Sequence, residues 1–319
     1  MVLSPLPPRE GISATCLRAP GGRQTHIKAD WLVPASIGQW LAEEFPGATP
    51  EAREVLLHEG QMCDQFGRPV SAEDRVIPGG FYFYHRPVPQ EKRVPFEVSI
   101  LYEDADLVVV DKPHFLASTP NGRFIRECVV TRLRVALDEP ELVAIHRLDR
   151  VTAGVLVLSR RRETRGKYQV LFERREVTKK YRALAWLPES FAAEEMRRVN
   201  AQRQTRLYKE PGQTRVLEVP GKPNAHTSIE FLDSRGVIHG NPVGEFSLVP
   251  HTGKTHQLRV HMNALGMPLV NDGLYPVDKQ SDPYDFSSPL QLVAQELGFR
   301  DPCTGHLRKW TSQRRLMTE

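Results

Sequence analysis

Short apolar runs separated by glycine, proline and polar breaks dominate this chain, and their periods change along it. Residues 1 to 24 are rich in Pro, Gly and Arg with little periodicity, which predicts an irregular N-terminal arm. From 25 to 90 helical and strand-like spacings mix. Ser36 can cap a helix through Trp40 and Leu41, and Thr49-Pro50 opens a second helix that should end near Gly60. Breaks at Phe66-Gly67-Arg68-Pro69 and Pro78-Gly79-Gly80 precede the strand Phe81-Tyr82-Phe83-Tyr84. Beyond the linker Pro87-Val88-Pro89-Gln90-Glu91-Lys92, strands are expected at Val98 to Tyr102, Leu107 to Val110, Val155 to Leu158 and Tyr181 to Trp186. Helices are expected at Cys128 to Ala136, Arg165 to Arg174 and Thr255 to Leu265, the last stopped by Gly266. No internal repeat is visible. The pattern implies an α+β chain in three parts: an arm (1–24), a small domain (25–90) and a large domain (91–319) with a mixed sheet decorated by helices.

With 319 residues and 40% hydrophobic content, the chain can bury a real core. Its longest apolar stretches are strand-sized, far short of the roughly 20 residues that span a bilayer, so no membrane segment is expected. The opening Met-Val-Leu-Ser-Pro-Leu-Pro-Pro-Arg lacks the layout of a secretory leader, which makes the cytoplasm the expected address. Four widely spaced cysteines (Cys16, Cys63, Cys128, Cys303), with no C-x-x-C, argue against a disulfide framework and a structural zinc site.

Charge changes the picture through its distribution. Lys28 to Arg86 holds five basic and nine acidic residues, net −4, so the rest of the chain carries +8 of the overall +4. Arg160 to Arg182 alone has ten Lys/Arg against three Glu. Such a run is either a solvated helix face or a polyanion-binding surface.

Three polar clusters lie beside the apolar strands. In His146-Arg147-Leu148-Asp149-Arg150, two arginines flank a carboxylate and favour its ionised form. Asp149 is thus a candidate nucleophile or base, or one half of a structural ion pair. The second cluster, Lys179-Lys180-Tyr181-Arg182-Ala183, contains an aromatic residue that is either a core strand tyrosine or a functional one. The third runs from His251 to His261. Its Gly253-Lys254-Thr255 lacks the earlier glycine of a phosphate loop, since Leu248 stands there. His256 and His261, five apart, point to different helix faces and do not match a zinc-protease spacing, whereas Arg259 shares a face with His256.

Taken in order, these motifs resemble the RluA-type branch of the RNA pseudouridine synthases over residues 93 to 312. The resemblance rests on Leu107-Val108-Val109-Val110-Asp111-Lys112-Pro113, on the Asp149 segment with Gly154, and on Phe172-x-x-Arg175-x-Val177-x-Lys179-Lys180-Tyr181. It continues through Thr252 to His261, Asn271-Asp272-Gly273-Leu274-Tyr275 and Phe299 to Gly305. It implies a mainly antiparallel mixed sheet with flanking helices, preceded by a small S4-like attachment. Asp149 matches the essential aspartate, which acts on the ribose of a flipped uridine while the base detaches, rotates and rejoins through carbon. Tyr181 matches the tyrosine that stacks on the base, Arg259 the basic partner of the aspartate, and Arg147 the arginine that fills the gap left by the flipped nucleotide. Arg150, Lys179, Lys180 and His256 are the expected RNA-binding residues around them.

The reaction needs a carboxylate, an aromatic platform and a basic surface, and it requires no metal, redox group or nucleotide. The expectation is therefore a monomeric isomerase acting on rRNA or tRNA without a cofactor. Two departures from the family pattern stand out. Val151-Thr152-Ala153-Gly154 replaces the commoner Asp-Thr-Ser-Gly, and Gln291-Leu292-Val293-Ala294 lacks a histidine often found there. The S4-like resemblance of 25–90 is carried only by the helix pair, Gly60, Gly67 and Gly79, with few basic residues. Alternatives are an idle RNA-binding or assembly protein that keeps the fold, and a hydrolase using Asp149, for which no Gly-x-Ser-x-Gly or metal motif is present.

Overall fold

Polar caps start the first two helices. In the computed structural model, which describes residues 3–21, 33–58, 61–188 and 201–317, the Ser36 Oγ accepts from the Gln39 N–H (3.3 Å) and opens α1 (Ile37–Glu44). Thr49 Oγ1 does the same for the Ala52 N–H (3.2 Å), with Pro50 in the first position of α2 (Pro50–Leu57). Gly60, the expected end of that helix, lies outside the described residues. The aromatic strand β3 (Phe81–Tyr84) runs between β1 (Thr15–Arg18) and β2 (Met62–Asp64), antiparallel to both. Ile37, Trp40 and Leu41 of α1 pack with Met62, Tyr82 and Tyr84 to form the core of this part, the Trp40 and Tyr82 rings 5.1 Å apart.

The irregular arm expected at 1–24 needs correction at Thr15–Arg18, which is an edge strand. Four residues are too few for a period to show in sequence. Their partner is supplied by Phe81–Tyr84, more than sixty positions further on.

The chain divides into two compact units, Met1–Gln90 with Arg134–Pro140, and Glu91–Leu133 with Glu141–Glu319. The large unit is built on β4 (Ser99–Glu103), β5 (Leu107–Lys112), β6 (Val143–Ala144), β7 (Ala153–Ser159) and β8 (Val177–Trp186). It continues through β9 (Ala201–Tyr208), β10 (Leu217–Val219), β11 (Ala225–Ile238), β12 (Asn241–Pro250), β13 (Leu292–Arg300) and β14 (Leu307–Thr311). Helices α4 (Arg162–Glu173) and α5 (Gln257–Ala264) accompany them, with the first five residues of α3 (Val129–Ala136). The strand order is β10-β9-β11-β12-β8-β13-β7-β5-β4, with β14 on β13 and β6 on β7. Among the described strands every pairing is antiparallel except β7 with β13. This is the mixed, mostly antiparallel α+β sheet that the motifs implied. No described helix is long and apolar enough to cross a membrane.

Two cores flank the join at β13. Tyr168 and Leu171 of α4 pack on Leu107, Val109, Val155, Val157, Leu297 and Phe299. Leu258 and Met262 of α5 pack on Ala183, Ala185, Phe246, Leu248 and Leu292. β7 is buried along its whole length, which explains its unbroken apolar run.

The tightest point lies where β13 enters the sheet. Ala294 pairs with Gly154 on one side and Tyr181 on the other. Gly154 has φ +116°, and a Cβ there would sit 2.3 Å from the Ala294 carbonyl oxygen. Both the backbone angle and the space exclude a side chain. Gly154→Ala is therefore expected to destabilise the protein by about 3 kcal/mol or more in denaturant unfolding. Gly166→Ala, on α4 with nothing within 4 Å of the added carbon, should be neutral or stabilising. Equal effects from the two substitutions would refute the close-approach argument.

Candidate active site

The segment His146–Val151 has little regular structure, yet its backbone is held atom by atom. The Ser118 hydroxyl donates to the Leu148 carbonyl (2.8 Å) and accepts from the Leu148 N–H (3.0 Å). The Thr152 N–H donates to the Asp149 carbonyl (3.0 Å), Lys112 Nζ to that of Arg150 (3.1 Å), and His114 Nδ1 to that of Val151 (2.8 Å). Four consecutive carbonyls, 148 to 151, thus have donors. Lys112 is fully buried and also donates to the carbonyls of Pro113 (2.9 Å) and Leu116 (2.7 Å). Burial pushes its pKa well below the usual lysine value, partly offset by the nearby Asp149 charge.

Asp149 projects from this clamped loop with 31% of its side chain exposed, so a substrate can reach it. Arg259 Nη1 lies 3.6 Å and His256 Nε2 4.0 Å from its Oδ2. Both side chains come from the start of α5, whose cap residue His256 takes a left-handed backbone (φ 55°). Arg259 is buried and fixed by Asp272, whose Oδ2 accepts from Nε (2.8 Å) and Oδ1 from Nη2 (2.6 Å). Burial disfavours the Arg259 charge, but the hydrogen bonds and charge of Asp272, with the charge of Asp149, outweigh it and raise the pKa above normal. The guanidinium is thereby spent on two sides and leaves Nη1 facing Asp149.

Tyr181 lies across β13 from Gly154, two strand spacings or about 10 Å in backbone terms. It packs on the core around α5, and burial together with the Asp149 charge raises its pKa above the normal phenol value. The phenol is neutral, which suits a stacking platform or a proton donor rather than a standing base.

The other expected residues separate. Arg147 is exposed and makes no hydrogen bond or ion pair to any described residue. Arg150 is committed within the protein: Nη1 donates to Phe115 O (3.2 Å) and Pro283 O (3.1 Å), and the guanidinium lies 4.9 Å from the Phe124 ring centre. Lys179 shares a strand face with Tyr181 and lies 5.5 Å from the Phe172 ring, with its pKa lowered by burial. Lys180 points to the opposite face of β8, the one that also carries Arg182 with its partner Glu245. In the basic run, Arg160 pairs with Glu103, Arg165 with Glu141 and Arg182 with Glu245, so part of its charge is met internally.

Lys112, Asp272 and Tyr275 stand in the motifs that carry the resemblance but had no role assigned, and His114 and Ser118 were passed over. Lys112 and Asp272 had a signal, being charged residues next to the apolar runs Leu107–Val110 and Leu269–Val270. Nothing in the sequence marked Ser118.

A family model described as RNA pseudouridylate synthase matches residues 106–264. A relative from Vibrio vulnificus, named dual-specificity RNA pseudouridine synthase RluA, is 32% identical over 209 residues, 66% of this chain and 80% of the relative. Its Escherichia coli namesake is 35% identical over 176 residues, 55% and 76% of the two chains. The solved structure of human RNA pseudouridylate synthase domain containing 1 superposes with a TM-score of 0.55 at 25% identity, covering 68% of this chain and 84% of that one. The chain belongs to the RluA-type RNA pseudouridine synthase family. It is accordingly an RNA-binding, RNA-modifying isomerase.

The large unit also holds three histidines in neutral form. Burial, with the Lys179 charge, holds His146 down at about 3, where Nε2 accepts from the Val157 N–H and the ring stacks on Phe172. Burial likewise holds His114 and His261 at about 4, against 6.5 for a free imidazole. Between those values and 6.5 the unfolded chain binds more protons than the folded one. The stability they contribute is complete above pH 6.5 and is lost as pH falls toward 4. The denaturant midpoint should fall over this range at constant ionic strength, and His146→Gln should flatten the slope. An unchanged slope in that variant would remove His146 from the account.

Proposed function

We propose that this protein isomerises specific uridines in structured RNA, rRNA or tRNA, to pseudouridine with Asp149 as the catalytic carboxylate. The observation that carries this reading is a reachable Asp149 on a clamped loop, faced by Arg259 and His256 and near enough to Tyr181 for its charge to raise the phenol pKa. The Asp149 carboxylate acts on the ribose of the flipped nucleotide. The bond from the sugar to N1 of the base breaks, the base turns, and a bond from the sugar to C5 forms; C5 then loses its proton and N1 takes one up, so that the product is an isomer of the substrate. Arg259 keeps the carboxylate ionised, and its anchoring by Asp272 means little reorganisation during the reaction. Tyr181 stacks on the base, and its neutral hydroxyl is available for proton transfer.

Arg147, exposed beside the catalytic loop, is free to enter the space vacated by the flipped nucleotide. His256 faces Asp149 and Lys179 lies over the Phe172 ring, whereas Arg150 acts by bracing the loop and Lys180 lies on the reverse face of its strand. The capped pair α1–α2 beside a three-stranded sheet supports reading residues 25–90 as an S4-like attachment with a reduced basic surface. The dual specificity in the names of the Vibrio and Escherichia relatives makes structured RNAs of more than one kind the substrates to test side by side.

Asp149→Asn keeps the size of the side chain and removes its charge and nucleophilicity. Single-turnover pseudouridine formation should drop by at least about a thousandfold, while RNA affinity changes by less than about threefold. A variant that binds and melts like wild type yet still isomerises uridine at a comparable rate would displace Asp149 from its role.

A further inference from the structure

Tyr275 joins two parts of the large unit that are far apart in sequence. Its backbone N–H donates to Asp272 Oδ1 (3.1 Å), so the loop that anchors Arg259 also fixes Tyr275. The ring is buried against Leu207 and Val216 from the β9–β10 arm and Val260 of α5. The guanidiniums of Arg259 and of Arg215, on the arm, each lie 5.3 Å from its centre.

The hydroxyl makes three contacts. It accepts from the Val216 N–H (2.8 Å), donates to the Val216 carbonyl (3.0 Å), and lies 3.1 Å from His256 Nδ1. A phenol has one proton to give. With that proton on the Val216 carbonyl, the third contact can form only if His256 donates from Nδ1. Burial above all, with the charges of Arg259 and of Lys209 on the arm, lowers the His256 pKa against the opposing pull of Asp149, and the ring is neutral. A neutral imidazole carries one N–H, so Nε2 is bare where it faces Asp149 Oδ2 at 4.0 Å.

We propose that Tyr275 is a positioning residue through which the β9–β10 arm decides which ring nitrogen of His256 carries the proton opposite Asp149. With the arm seated, Val216 holds the Tyr275 proton, His256 is protonated at Nδ1, and the Asp149 carboxylate keeps both oxygens for substrate. With the arm lifted, the hydroxyl turns its proton to Nδ1. The ring then carries its single hydrogen at Nε2 and donates it to Asp149, which blunts the carboxylate. The proton count of the pair is the same in both states. The arm exposes Arg206, Lys209 and Lys222, cations suited to a sugar-phosphate backbone, so RNA lying along it would press Val216 onto Tyr275. The catalytic consequence rests on the proposed role of Asp149; the tautomer itself does not.

The test is nitrogen-15 NMR on the full chain labelled at histidine, with the His256 signals identified by their loss in His256→Gln. Wild type should show a protonated Nδ1 and a bare Nε2. Tyr275→Phe, which removes only the hydroxyl, should move the proton to Nε2, and Arg215→Ala, which loosens the arm, should give a mixture. A wild-type spectrum with Nε2 protonated overturns the proposal, and so does an unchanged pattern in Tyr275→Phe. The wild-type spectrum decides by itself should that variant fail to fold. In single turnover at saturating enzyme, Tyr275→Phe should be slower by about tenfold with RNA affinity within about twofold of wild type. A shifted tautomer with an unchanged rate overturns the positioning role. Should the tautomers behave as expected while wild type modifies no RNA, the functional reading falls and the control of His256 by the arm stands.

Discussion

The large unit depends on one close approach, the insertion of β13 between β7 and β8. Without it the sheet is two separate pieces, one bearing the Asp149 loop and the other Tyr181 and the strands packed on α5. Ala294 pairs with both neighbours at once, and the backbone of Gly154 comes so near that no side chain fits. The parallel β7–β13 contact is thus both a packing constraint and the element that fixes the distance between a carboxylate and an aromatic ring. It explains why position 154, just after the Asp149 segment, is a glycine.

Around that join the protein spends buried polar groups in an unusual concentration. Lys112 and Arg259 are ionisable side chains removed from water, which is costly unless hydrogen bonds and, for a charged group, opposite charges compensate. Lys112 is met by three carbonyls and Arg259 by the two oxygens of Asp272. A hydrophobic core of equal volume would stabilise the fold at least as well. What these groups provide instead is a rigid loop and a guanidinium aimed at Asp149, the preorganisation that electrostatic catalysis needs.

The basic run on α4 and β8 shows the limits of counting charge. Several of its arginines are matched by Glu103, Glu141 and Glu245, and strand alternation sends Lys179 and Lys180 to opposite faces. Exposed Arg161, Arg162, Lys167, Arg174 and Arg175 are what it leaves to solvent. The cations left facing solvent are therefore a subset of the run together with Arg147 and those of the β9–β10 arm.

Local spacing was enough to read the capped helices at Ser36 and Thr49, the apolar strands at Leu107 and Val155, and the polar clusters that carry Asp149, Tyr181 and Arg259, because caps, periods and motif order are properties of neighbouring residues. His256 and Arg259 do meet at Asp149, but not through the shared helix face that their spacing suggested, because His256 is the left-handed cap residue just before α5. The edge strand at Thr15–Arg18 was not legible, since its partner lies more than sixty residues away. Nor could the sequence show that Asp272, Ser118 and Lys112 serve the site, or that Arg150 braces the loop instead of facing solvent, because those roles come from contacts between distant segments. Residue types and their order determined which chemistry this chain carries. Only the tertiary fold decided which groups meet Asp149, because long-range strand pairing brings them together and the energies of buried polar groups depend on every neighbour at once.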